Sequence, residues 1–395
     1  NMTHTNSSTV PLIFTIYDYS SISWMGYSLD GQTNVTVTGN TTISGLSYGF
    51  HNLGVYGNDT FGNIGASNTL FAVSHFVPDD YSTIQEAINH ADEGDSIFVK
   101  NGVYYERLIV NKTLTLVGEN REATIIDGSG EGNVTRVTAN NVTITGFTMR
   151  NAGETHSGIL IELQNNTNVQ DNNITNNLYG IGLWASSGNI ISGNNITNNH
   201  NGIRVKHYSH NNTITENNIE NNEYGIWTWW SENNRFYHNN FVNNTHQVHI
   251  QESGYANSWD NGYPSGGNYW SNYSVTDLYS GPYQNETGSD GIGDTPYVIN
   301  EDNQDRYPLM SPWPPHDVGV INVSPSPTEV YAGQIVNIAV TLKNHGIFTE
   351  TFNVNTYYDS ILIGTQTVTN LPQHAEKTLT FSWNTTGVPE GQYVI

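Results

Sequence analysis

The chain has 395 residues, more than one ordinary domain needs, and carries 36 acidic against 12 basic residues for a formal net charge of −24. That charge repels a phosphate backbone and argues against nucleic acid as a partner. Without cysteine there is no disulfide and no thiolate metal site, and no apolar run is long enough to span a bilayer, nor does the start, "NMTHTNSSTV", read as a basic-then-apolar leader.

Residues 1–75 read as short alternating strands, "PLIFTIYD", "MGYSLDG", "NVTVTG", "HNLGVYGND" and "TLFAVS", broken by Gly, Asn and Asp turns. This pattern predicts a small Ig-like β-sandwich. The next segment, 76–252, opens with "DDYSTIQEAINHADEGD", where Ile84, Ala87, Ile88 and Ala91 recur at helical spacing behind a Thr83-x-x-Glu86 capping box, with Gly94 as a stop. One amphipathic helix is expected there, serving as a lid on the open end of a solenoid.

The solenoid is signalled by a repeat. "NNITNNLYGIGLW" from Asn172 returns as "NNITNNHNGIRV" from Asn194, "NNIENNEYGIWT" from Asn217 and "NNFVNNTHQVHI" from Asn239. Its glycine landmark falls at Gly158, Gly180, Gly202 and Gly225, a period of about 22 residues, which suits one turn of a solenoid. After each glycine an apolar column (Ile159, Ile181, Ile203, Ile226, Val248) alternates with unlike residues, so each repeat carries a strand facing a core on one side. Stacked coils of this kind make a parallel β-helix. Asn172, Asn194, Asn217 and Asn239 form one asparagine column, and Asn151, Asn176, Asn198, Asn221 and Asn243 a second. Asparagine tolerates the left-handed backbone of a sharp bend, and amides stacked at strand spacing hydrogen-bond from coil to coil, so both columns are expected to be structural ladders.

From 253 to 312 the repeat gives way to "SWDNGYPSGGNYWSNY" and "GSDGIGDTPYVINEDNQDRYPLM", expected to close the far end of the β-helix. A stiff "SPWPPHD" linker leads into strands of a second sandwich, 313–395. "YSTIQEAINHADEGDSIFVKNGVYYERLIVNKTLTLVGE", the NN-x-I-x-x-N coils and "GNYWSNY … GSDGIGDTPYVI … DRYPLM" resemble the NosD-type right-handed β-helix family (PbH1 repeats) of archaeal and bacterial surface or periplasmic proteins. "VYAGQIVNIAVTLKNHG" and "LPQHAEKTLTFSWNTTG" resemble the CARDB domain, an Ig-like module named for cell adhesion. The expected fold class is therefore all-β: a right-handed parallel β-helix with a capping α-helix, flanked by two Ig-like β-sandwiches. The resemblance implies an extracellular or cell-surface protein.

The NosD name is tied to copper, which makes a copper-binding protein the second alternative, but His156 and His200 share a column only with Leu178 between them, His207, His210, His238, His246 and His249 sit at different offsets, and no compact set emerges. Asp171 and Glu216 share a column two coils apart, about 9 to 10 Å at strand spacing, near the separation used by inverting glycosidases; a glycan hydrolase or lyase is the runner-up function. The outward residues Arg204 and Trp227, then Glu162, Trp184, Lys206 and Trp229, place tryptophans and cations on one face suited to a sugar ring or a protein partner. The leading expectation is thus a non-catalytic structural or adhesion protein contacting glycans or other surface proteins, with no required cofactor. Asp290, Asp294, Asp302 and Asp305, in a Gly-turned loop, are candidates for calcium. Sequons at Asn34, Asn40, Asn58, Asn111, Asn133, Asn141, Asn272, Asn285, Asn322 and Asn384 suggest a glycoprotein. Both outer sandwiches read as short of a strand, "GQYVI" ending the last, which leaves two expectations: a piece of a longer tandem protein, or copies completing one another head-to-tail in a filament.

Overall fold

The computed structural model describes residues 3–252, 255–313, 318–344, 349–359, 361–372, 375–391 and 393–395. The linker positions 314–317 lie outside that set. Two compact units emerge: 1–274 with 295–307, and 275–294 with 308–395. The predicted closing segment 253–312 is accordingly divided between them.

In the first unit the coils build three parallel sheets. The first face runs from Ser96–Val99 to Arg235–Tyr237, the second from Gly102–Tyr104 to Tyr269–Trp270, and the third from Leu108–Val110 to His246–Ile250, with eight strands in the second and seven in the third. Partners are offset by one repeat throughout: Ile159 pairs with Ile181, Ile181 with Ile203 and Ile203 with Ile226. All four are fully buried, each contributing about 2 kcal/mol through removal of apolar surface from water. The glycine landmark has a steric cause: a Cβ on Gly180 would lie 2.4 Å from the Gly202 carbonyl oxygen, and one on Gly202 2.6 Å from that of Gly225.

The asparagine columns divide their labour between adjacent residues. Asn172, Asn194, Asn217 and Asn239 are buried, and each backbone N–H donates to the amide oxygen one coil on, ending at Asn268. Asn151, Asn176, Asn198, Asn221 and Asn243 take the left-handed backbone, with φ between 52° and 59°. The second amide stack, however, belongs to the residues after the last four of these: Asn177, Asn199, Asn222 and Asn244. A third stack, Asn189, Asn212, Asn234 and Asn257, was not read from the sequence. The bend needs an exposed left-handed residue, the ladder needs a buried amide, and one residue cannot satisfy both.

The helix Ile84–His90 buries Ile84, Ala87 and Ile88 against the first coil, with Thr83 Oγ1 accepting from the Glu86 N–H. It ends at His90, ahead of Gly94, whose φ of +94° serves the following turn. Upstream, the strands Ile22–Leu29, Gly49–Asp59 and Ile64–Val77 form the main sheet of the N-terminal sandwich, against the pair Thr9–Leu12 and Thr41–Ser44. Ile64–Val77 continues into the β-helix, its residues 74–77 pairing with Ser96–Val99.

Aromatic rings close the other end. Trp259 stacks on Phe236 and Trp270 on Phe241, both at 4.3 Å, and Tyr297 stacks on Trp270 at 4.2 Å. The first ladder terminates at Asp305, which accepts from the Asn268 N–H, Trp270 Nε1 and the Tyr307 N–H. In the second unit, Val318–Ser326, Ile335–Asn344 and Glu376–Asn384 face the pair Glu350–Tyr358 and Ile361–Leu371 over Ile338, Val340, Val368 and Phe381.

The division between bend and ladder predicts opposite sensitivities at neighbouring sites. Asn199 donates to Ile174 O, Thr197 O and Asn222 Oδ1 and accepts from Asn177; Asn199→Ala is expected to lower unfolding free energy by about 3 kcal/mol or more through orphaned buried groups. Asn198→Gly, at an exposed left-handed position, should stay within about 0.5 kcal/mol. Chemical denaturation of the two variants checks both.

Burial pushes the Asp305 carboxyl from 3.8 up to about 7, against the three N–H donors that hold it charged. Folding therefore takes up a proton there, so this contribution is complete below 3.8 and is lost as pH rises to about 7. The histidines lowered by burial, among them His4 and His238, act in the opposite direction over part of that range. The decisive measurement is the difference in unfolding free energy between wild type and Asp305→Asn, expected to fall from about pH 4 to about pH 7.

Candidate functional site

The third face presents its alternate residues outward. In register across the coils, one column runs Arg136, Leu160, Gly182, Arg204, Trp227 and His249, and a second Glu162, Trp184, Lys206 and Trp229. Gly182 interrupts the first column and lines a recess of about 330 Å³ bounded by His156, Leu160, Tyr179, Trp184, Arg204 and Lys206. The Arg204 guanidinium lies over Tyr179 at 4.3 Å and 5.6 Å from the Trp227 ring, and Lys206 Nζ lies over Trp184 at 3.9 Å. Each cation–π contact is worth about 0.5–1 kcal/mol at an exposed site.

His207 adds a ring that the periodicity of the repeat does not reveal. It stacks on Trp184 at 4.6 Å and leans on Trp229 at 5.1 Å, and Trp229 in turn contacts Trp230 at 4.5 Å. Burial, then Lys206 and Arg204, lower the His207 pKa, so the ring stays neutral at pH 7 and suits this stack. Tyr224 similarly gathers Trp227, His246 and His249. Tyr179 and Tyr224 were legible in principle: they occupy one position of the repeat, immediately before the landmark glycine, with Asn201 between them. Trp184 is 39% exposed, whereas Trp227 and Trp229 are half-buried among these neighbours.

Glu162 stands apart from the other named residues: its carboxylate accepts from Arg136 Nε at 2.7 Å. That pair and Arg107–Glu131, at 3.4 Å, flank a larger recess of about 620 Å³ that shares Asn133 with the smaller one. Arg204 and Lys206 have no acidic partner among the described residues. Lys206 is lowered from 10.5 to about 8 by burial and then by Arg204.

The other candidates fare differently. Asp171 and Glu216 are exposed, left-handed bend residues either side of Gly193. The next residue of that column, His238, has Nε2 against the Ser265 carbonyl at 2.8 Å. The four aspartates proposed for calcium do not converge. Asp294 accepts from the Leu278 and Tyr279 N–H groups, Asp290 from the Ile292 N–H, and Asp305 lies in the aromatic end of the β-helix core, while Asp302 sits at the tip of the turn between Tyr297–Asn300 and Asn303–Asp305. Among the described residues no three of His, Asp and Glu form a metal-holding group; these aspartates terminate turns and backbone strands. Of the sequons, Asn34, Asn40, Asn111, Asn141, Asn272, Asn285, Asn322 and Asn384 are exposed, and Asn58 and Asn133 half-buried. The Asn133 Oδ1 accepts from the Ser157 N–H.

Residues 82–275 match the family model described as periplasmic copper-binding protein (NosD), and residues 316–395 match CARDB. The chain carries a NosD-type β-helix followed by a CARDB domain. A search of curated proteins returns no match. Among solved structures, an alginate lyase from Paenibacillus sp. str. FPU-7 is 19% identical over 41% of this chain and 64% of its own, less than two thirds, with a TM-score of 0.34. A family 28 exopolygalacturonase from Yersinia enterocolitica is 13% identical over 62% and 79%, with a TM-score of 0.29. The Aspergillus niger pectin methylesterase is 13% identical over 47% and 82%, with a TM-score of 0.31. No chemistry follows from likenesses this partial. The NosD-type β-helix here does not fit copper either: the chain has no Cys and 4 Met, Met149 is buried in the apolar core, and among the described residues the histidines join no metal-holding group.

The shifted amine is directly measurable. Below about 8 Lys206 is charged and above it neutral. The groups around it are Arg204, His207, Trp184 and Trp229. In an amine-acylation time course read by mass spectrometry, Lys206 is expected to react ahead of Lys100, which pairs with Asp79. Arg204→Gln, by removing the adjacent positive charge, should move its labelling midpoint to higher pH.

Proposed function

We propose that this NosD-type protein is a non-catalytic structural or adhesion protein of the cell exterior, and that the third face of its β-helix holds a glycan. The observation that carries this reading is the recess over Gly182, with Tyr179 and Trp184 as aromatic walls and Arg204 and Lys206 beside them. Aromatic faces match the apolar faces of sugar rings, and a rigid sheet holds them without an ordering cost on binding. The location is supported by the family description, periplasmic, by the exposed sequons, and by the finding that no helix among the described residues is long and apolar enough to cross a membrane.

The test is binding of the full chain to a panel of immobilised neutral and acidic polysaccharides. Trp184→Ala is expected to weaken the retained interaction about tenfold, the loss of roughly 1.4 kcal/mol of stacking, with the unfolding transition unchanged. Chain length of the glycan should be the same before and after incubation. Shortened products that vanish in the double variant Asp171→Asn, Glu216→Gln would replace this reading with a catalytic one.

A further inference from the structure

We infer that the ligand of the Gly182 recess is an acidic sugar, whose carboxylate or sulfate is held between Arg204 and Lys206; this rests on the glycan reading above and specifies its chemistry.

In a chain of net charge −24, a cation finds an acid easily, and most of the arginines do: Arg107 with Glu131, Arg136 with Glu162, Arg150 with Asp127 and Arg306 with Asp260. Arg204 and Lys206 are exceptions among the described residues. They lie two positions apart on one strand, so both side chains project from the same side of the sheet. The like charges repel, and this alone disfavours the folded state unless something offsets it. Aromatic rings offset part of it, Tyr179 under Arg204 and Trp184 under Lys206. An anion placed between the two cations supplies the remainder, and charge-assisted hydrogen bonds to it are stronger than neutral ones.

The recess lies beside the two cations, with Gly182 among its lining residues. A Cβ at Gly182 would stand 3.0 Å from Ser157 Oγ and 3.3 Å from Leu160 Cδ1, so these two side chains pack closely against the glycine and together with it line the recess. A sugar ring seated in the recess lies beside Trp184 while its charged substituent meets Arg204 and Lys206. The nearest acid of the face, Glu162, is turned to Arg136 and so does not take up the Lys206 charge. The lowered pKa of Lys206 agrees with this arrangement: burial and then the neighbouring Arg204 lower it, no acid among the described residues pairs with it, and a bound anion is expected to raise it again.

The decisive experiment measures binding of the full chain to polygalacturonate, fully methyl-esterified polygalacturonate, a sulfated galactan and an unsulfated galactan at 0.15 M salt, where remote acids of the chain are screened beyond about 8 Å. The expected result is retention of one or both charged polymers, at least tenfold tighter than the matched neutral polymer. Arg204→Gln, Lys206→Gln should abolish that preference while leaving the unfolding transition in place. The retained polymer should also protect Lys206 from acylation. Preference for the carboxylated polymer identifies a uronate, and preference for the sulfated one a sulfate ester. Equal binding of charged and neutral polymers, or a preference that survives in the double variant, overturns the acidic-sugar inference and leaves the glycan reading standing. Absence of binding to all four, with Lys206 unprotected, overturns both.

Discussion

From Asn172 onward the coils of the β-helix hang on hydrogen bonds from an asparagine backbone N–H to the amide oxygen of the asparagine one coil further on. The side-chain amide also donates, as Asn194 Nδ2 does to Val169 O, Ser192 O and Asn217 Oδ1, so one buried residue satisfies the backbone groups that a sharp corner leaves without sheet partners. Three such stacks run along the coils. They fix the register of each strand against the next, and a one-residue slip would turn every isoleucine column outward. The apolar core is therefore a consequence of the corners as much as their cause.

That constraint makes the inside of the solenoid repetitive and leaves the outside free. Ile181, Ile203 and Ile226 are interchangeable in position and environment, while Gly182, Arg204 and Trp227, one residue later, have nothing in common except their direction. A surface built this way places unlike groups at fixed strand spacing on a rigid sheet, which is the condition for a preorganised contact site. The ends obey a different requirement, since the last coil has no successor to receive its N–H groups. At one end the helix Ile84–His90 covers the core, with Glu106 accepting from the Ile84 and Gln85 N–H groups. At the other, Trp259 and Trp270 continue the apolar columns as stacked rings, and Asp305 takes the place that an asparagine would hold in the ladder.

The repeat, the helix and the two sandwich segments were legible because each depends on local periodicity: 22 residues for a coil, two for a strand, and the i, i+3, i+4 pattern for the helix. The exact ladder residues were not, because "NN" presents two adjacent asparagines whose roles are separated only by burial, and sequence spacing treats the pair alike. The roles of the aspartates in the closing segment are not separable in the sequence for a related reason. Asp, Gly and Asn in a loop look the same whether the carboxylates surround an ion or accept from backbone N–H groups, and the distinction lies in where Asp305 is buried and in what Asp294 faces.

On the third face the sequence showed which residues point outward but not which of them meet. Lys206 was visible as a cation among tryptophans; its position over Trp184 and beside Arg204 depends on the register between coils. The contact made by His207 is not legible in the repeat, since the residue follows the strand, where alternation ends, and its left-handed backbone, φ 56°, places the ring against Trp184 and Trp229. The most informative position is the one with no side chain. Gly182 lies in the middle of a fully paired strand with no positive φ, and its reason is packing: unlike Gly180, whose Cβ would meet a backbone oxygen, a Cβ here would press on the side chains of Ser157 and Leu160. That packing accounts for the glycine but not for the two cations beside the recess, which have no acidic partner among the described residues and whose charge a bound anion would offset.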